Sequence, residues 1–202
     1  MKHLLILLVG LFLLSACSVF SPIKTETTTS YLINTTPQPL TARASHRLNL
    51  LVTQPEADSI YNTTGIAYTT KPHQIGYFVK STWAEVPTQM LHPLIIQTLR
   101  KTHFFHRVGT LSSVGHYDYL LNTQLIQLQQ DYSQLPPAAY LILNAEIVKA
   151  STNQVIASHE FVIHEMIRQN STYSGVIATN RATAIILNQL AVFCLKTLQR
   201  SS

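Results

Sequence analysis

An apolar run from Leu4 to Leu14, closed by Ser15, Ala16 and then Cys17, decides which part of this chain is free to fold as a domain. Met1-Lys2-His3 places positive charge in front of it. As a helix the run would span only roughly 16 Å, about half the thickness of a bilayer core. A charged start, a short apolar centre and a small-residue cut site are the parts of an export signal. Residues 1–16 are therefore expected to be removed, with the cut between Ala16 and Cys17. What remains, residues 17–202, suits one domain with a full core.

Leu14-Ser15-Ala16-Cys17 resembles the lipobox of bacterial lipoproteins. That resemblance implies lipidation of Cys17, which would carry a covalent lipid as the chain's membrane anchor; the alternative is an ordinary secretory signal beside an incidental cysteine. Each buried CH₂ contributes about 0.8 kcal/mol, so stable anchoring takes more than one acyl chain. Ser18 stands where an aspartate would resemble an inner-membrane retention signal, which favours the periplasmic face of the outer membrane over that of the inner one. Residues 17–30, rich in Ser and Thr, read as a lipidated flexible tether. About a dozen extended residues reach at most roughly 40 Å, so the periplasmic domain, residues 31–202, stays near its membrane.

Composition narrows the classes further. Nine Asp and Glu face fourteen Lys and Arg, so the positive balance reflects scarce acids rather than abundant bases. The cations are scattered along the chain, with Arg100-Lys101 an adjacent pair. Nucleic-acid binding calls for a basic stripe interleaved with aromatics, so no nucleic-acid partner is expected. No second apolar stretch in the sequence approaches transmembrane length. Cys194, inside Leu190-Ala191-Val192-Phe193-Cys194-Leu195, reads as a buried, inert small hydrophobe.

Periodicity lays out the domain. Tyr31–Ile33 and Leu48–Val52 read as strands, and 65–69 with 74–79 as a hairpin turning at Lys71-Pro72-His73. After Trp83 the period becomes helical through Leu91, Leu94, Ile95, Thr98 and Leu99. Pro93 is awkward there, so either the helix begins near Met90 or it kinks; Pro87 suits a helix start. Strands are expected over 117–129, over 140–149 with Leu141, Leu143, Ala145 and Ile147 on one face, and over 155–167 with Val155, Ala157, Phe161 and Ile163 aligned. A helix over roughly 174–198 closes the chain. The order predicts a single α+β domain, a mostly antiparallel or mixed sheet with two main helices on one face.

Residues 50–108 carry a pattern with a family behind it. Leu51-Val52, Ile66-Ala67-Tyr68, Ile75-Gly76-Tyr77-Phe78, Trp83-Ala84-Glu85-Val86-Pro87 with Met90-Leu91, and 105–108 occur in an order and spacing that resemble the ABC-type transport auxiliary lipoprotein family, to which the paraquat-inducible C-type lipoproteins are related. Tyr117-Asp118-Tyr119-Leu120 also fits. Ser81-Thr82 departs from the Asn-Arg found in many relatives. The resemblance implies a protein that is not an enzyme and carries no cofactor. It also implies an outer-membrane-attached auxiliary to an MCE-type lipid transport system, with an MCE-domain protein and ABC transporter components as partners. Relatives that form rings extend the implication to a homo-oligomer. On the residues alone, Tyr68, Tyr77, Trp83, Glu85 and Pro87 are structural: Trp83 as a core plug, Tyr68 and Tyr77 as cross-strand partners.

Chemistry is thinly represented. His103 and His106 lack a third ligand nearby, and His159 and His164 differ by an odd number and so face opposite sides of a strand. No nucleophile elbow, H-E-x-x-H or glycine-rich phosphate loop occurs, and nine dispersed acids nominate no acid–base pair. No catalytic or metal site is expected. A lipid-carrying or lipopolysaccharide-assembly lipoprotein is the alternative to a transport auxiliary. It would show a sizeable apolar pocket or a basic patch.

Overall fold

Period-two alternation runs through residues 119–166, and the backbone follows it into three long antiparallel strands. The computed structural model describes residues 27–40 and 46–200; Ala16 and Cys17 lie outside them. In chain order the elements are β1 (Thr29–Tyr31), β2 (Asn49–Val52), β3 (Glu56–Ala57), β4 (Gly65–Thr69), β5 (Gly76–Trp83), α1 (Pro87–Arg100), β6 (Arg107–Gly109), α2 (Leu111–Val114), β7 (Tyr119–Asp131), β8 (Ala138–Lys149), β9 (Gln154–Met166) and α3 (Thr172–Gln199). They form one nine-stranded mixed sheet with helices, an α+β domain.

β7 is the spine. One of its edges pairs antiparallel with β8 along its length, and β8 pairs with β9. Its other edge takes β2, β3 and β4 in turn, all parallel. β6 adds beside β2, β5 beside β4, and β1 beside β5. In β8 the expected face holds: Leu141, Leu143, Ala145 and Ile147 are buried against α3. In β9, Phe161 is buried but Val155 is 54% exposed. The pairing passes from Ile147↔Ala157 to Val148↔Val155, so Ile156 is an extra residue that turns Val155 off the inward face.

α1 begins at Pro87, earlier than Met90, and leaves Pro93 inside it. Proline removes the amide that would bond the carbonyl four residues back, here Gln89. Gln89 and Pro93 both lie on the exposed side, so the freed carbonyl is on the solvent face of the helix while Leu91, Leu94, Ile95 and Leu99 remain buried. The helix ends where His103 takes a positive φ of 54° and Thr102 Oγ1 donates to the Leu99 carbonyl at 2.6 Å. Phe104 and Phe105 then turn into the core.

α3 is capped by Ser171, whose side chain accepts from Ser174 N at 3.2 Å. Its stripe Ala182, Ile186, Leu187, Leu190, Ala191, Cys194 and Leu198 is buried in the same core as α1's apolar face. By length and composition α3 is apolar enough to cross a membrane, which corrects the expectation that no second stretch approaches that size. Its inner face is spent on the sheet instead. Arg181 Nε donates to Glu165 Oε2 at 3.0 Å, tying the end of β9 to this helix.

Candidate functional site

The motif residues are spread along the β4–β5 hairpin and beyond it: Tyr68 and Tyr77 lie near its turn, and Trp83, Glu85 and Pro87 lie where the far end of β5 meets β1 and the start of α1. Trp83 is 3% exposed; its amide donates to the Thr64 carbonyl, and Ala84 N donates to the Tyr31 carbonyl, both at 2.7 Å. Pro87 opens α1 beneath it, buried, where its missing amide costs nothing. Glu85 is exposed in the turn between them.

Tyr68 and Tyr77 are not cross-strand partners. The register pairs Tyr68 with Gly76 and places Tyr77 opposite Ala67, so the two rings leave the hairpin on opposite faces. Each covers a glycine: Tyr68 lies over Gly76 and Tyr77 over Gly65. On its side Tyr68 packs on Phe78 with centroids 4.5 Å apart, and Phe78 meets the edge of Tyr132 at 6.5 Å. Tyr132 Oη donates to Gln130 Oε1 at 2.8 Å and reaches the Ser171 carbonyl at 3.2 Å. An aromatic brace thus runs from the hairpin to the start of α3.

Titration follows burial rather than converging charge. Desolvation pushes the Tyr132 hydroxyl up to about 12 and the Cys194 thiol up to about 12. Tyr61 is raised mainly by burial, with smaller contributions from Tyr77 and Asp58. Among the described residues no group of three His, Cys, Asp or Glu is placed to hold a metal. His159 stacks on Phe193 of α3, whereas His164 packs on Tyr140 across the other face, as their odd spacing requires.

Two features escape a linear reading. The first is Asn180 on α3, which clamps the segment after β1. Its Nδ2 donates to the Leu32 carbonyl at 2.9 Å, and its Oδ1 accepts from Asn34 N (3.0 Å), Thr35 N (3.2 Å) and Thr35 Oγ1 (3.0 Å). An asparagine in mid-helix carries no sequence signal for a contact with residues so far away in the chain. Beside the clamp, Leu32, Tyr173 and Ile177 are exposed.

The second is a basic groove. The turn after α1 brings Arg100 and Arg107 to one groove, with two histidines between them in the chain. A cavity of about 680 Å³, open to solvent, is lined by Arg100, His103, His106 and Arg107 together with Phe105 and Val108. A neighbouring apolar cavity of about 530 Å³ shares Arg100 and His103 and adds Pro93, Ile96 and Lys101. Neither lining contains a carboxylate. Arg100 is fixed in place, its Nε donating to the Val108 carbonyl at 2.7 Å.

The fold has solved counterparts. The crystal structure of a Xanthomonas campestris protein of the DUF330 family superposes with a TM-score of 0.73 at 24% identity, covering 87% of this chain and 96% of that one. A crystal structure of an uncharacterized protein superposes with a TM-score of 0.67 at 17% identity, covering 84% and 99%. Identities this low establish shared architecture alone. No curated protein matches the sequence. The model of one family, the ABC-type transport auxiliary lipoprotein component, matches residues 31–191, from β1 through most of α3. The chain belongs to the family of ABC-type transport auxiliary lipoprotein components.

Proposed function

We propose that this chain is cut before Cys17, lipidated there, and held at the periplasmic face of the outer membrane as a non-catalytic auxiliary of an MCE-type lipid transport system. The family match over residues 31–191 carries the reading, since it makes the chain a lipoprotein component of ABC-type transport. The acyl chains fix the domain at the membrane, and its protein surface recruits or orients the periplasmic part of the transporter. Apart from the covalent lipid it uses no cofactor. The described side chains support a binding role. The groups with displaced titration, Tyr61, Tyr132 and Cys194, owe it mainly to burial and do not converge on a cleft.

One observation favours a second reading. The apolar strip of Pro93 and Ile96 adjoins cationic Arg100, an arrangement that also suits a lipid carrier. A crosslinked pull-down of the lipidated protein from envelopes, with mass spectrometry of protein and lipid, separates the two. Recovery of an MCE-domain protein or ABC components supports the auxiliary. Stoichiometric phospholipid without them supports the carrier.

A further inference from the structure

We infer that the groove between the C-terminal half of α1 and β6 docks an acidic segment of the transport partner, one that carries apolar residues beside its carboxylates. The inference rests on the reading that such a partner exists.

Three observations converge on it. The groove is chemically two-sided: Arg100 and Arg107 line one half, and Pro93 and Ile96 line the other. An anion that also offers apolar side chains satisfies both halves, and no carboxylate in either lining competes for the guanidinium groups. Next, the helix dipole does not account for the whole cluster. Arg100 and Lys101 complement the negative end of α1. His106 and Arg107 come after the turn, at and just before the edge strand β6, where that field has fallen away. Lastly, shape argues for a docked protein segment rather than sequestered acyl chains, because the groove is open to solvent. The chain comes in at β1, which pairs with β5 up to Trp83, just before α1 begins. The length of α1, roughly 21 Å, then separates its start from Arg100. The groove lies about one helix length from β1, within the roughly 40 Å reach of the proposed tether, so the crosslink rather than its position decides between a protein and a headgroup.

The test uses the full, lipidated chain in intact envelopes, with a photo-crosslinking residue at Gln97, exposed in the groove, or at Glu160, exposed on β9. The expected result is a Gln97 crosslink mapping to an acidic segment of a transporter component. Arg107→Glu should reduce it at least tenfold while an unchanged melting curve shows the fold intact. Arg107→Lys should restore most of it. Lipid, or a second copy of this chain, as the only Gln97 product overturns the inference. So does a protein crosslink indifferent to Arg107→Glu. A transporter component captured from Glu160 but not from Gln97 overturns the groove and leaves the proposed function standing. Capture from neither position also overturns the groove, and the pull-down from envelopes then decides the proposed function.

Discussion

Tyr77 shields Gly65 across the β4–β5 hairpin so closely that a Cβ at residue 65 would lie 2.6 Å from the ring's Cδ1. The ring is held there by its hydroxyl, which donates to the Ile60 carbonyl at 3.1 Å. Gly65→Ala is therefore expected to destabilise by about 1–3 kcal/mol, the range for overfilling a packed site. In a Tyr77→Ala background the same substitution should cost far less, because the clash has been removed. A double-mutant cycle in urea measures the difference as coupling. Additive losses would sink this account of the hairpin.

Asn180 holds residues 32–35 with hydrogen bonds to three backbone groups and one hydroxyl. Asn180→Ala deletes them at a site that water can reach, so a net loss of about 1–2 kcal/mol is expected. The effect should be local, because Ile33 stays buried beside Met90 and β1 keeps its pairing with β5. Hydrogen exchange should quicken at Asn34 and Thr35, with the protection of β7 and β8 unchanged. Uniform loss across the sheet would instead make Asn180 part of the global core.

Alkali should find one buried group, Cys194, and one half-buried group, Tyr132. Cys194 and Tyr132 both have folded values raised to about 12, from about 9 and 10 respectively. Each is an acid that the fold keeps protonated, so its contribution is fully present below the unfolded value. It is lost as pH climbs from there toward the folded one. Stability should therefore hold below about pH 9 and then fall, first through Cys194 and from about pH 10 through Tyr132 as well. The slope is at most about 1.4 kcal/mol per pH unit for each group. Denaturation midpoints in Cys194→Ala should lose the early part of that fall. Below pH 9 the thiol should resist alkylation until the chain unfolds.

The sequence made strand and helix types readable wherever one face is buried. The inward set of β8 and the stripe of α3 follow period two and period 3.6 because α3 packs directly on that face. What stayed hidden depends on contacts between segments. The extra Ile156 in β9 moved Val155 outward, and nothing local in Val155-Ile156-Ala157 marks a bulge. Tyr68 and Tyr77 were visible as motif residues, but their faces depend on hairpin register, and one residue of slip exchanges them. Arg100, His103, His106 and Arg107 were each visible too. Their convergence needed the left-handed turn at His103 that folds β6 back beside α1.

Cys17 tests the anchor separately from the fold. The lipidation site proposed at Cys17 and the residues up to Thr28 precede the paired structure, which begins at β1 and is closed by Asn180. Cys17→Ser should therefore leave the thermal melt of the mature domain unchanged while moving the protein from the membrane fraction to the soluble periplasm. The transport-dependent phenotype should be lost in the cell, because on the proposed reading the acyl chains on Cys17 are what hold the domain at the bilayer. Fractionation with parallel complementation measures both. Full complementation by a protein that is soluble and correctly folded would show that the domain's surfaces suffice for recruitment, and that the lipid only raises its local concentration.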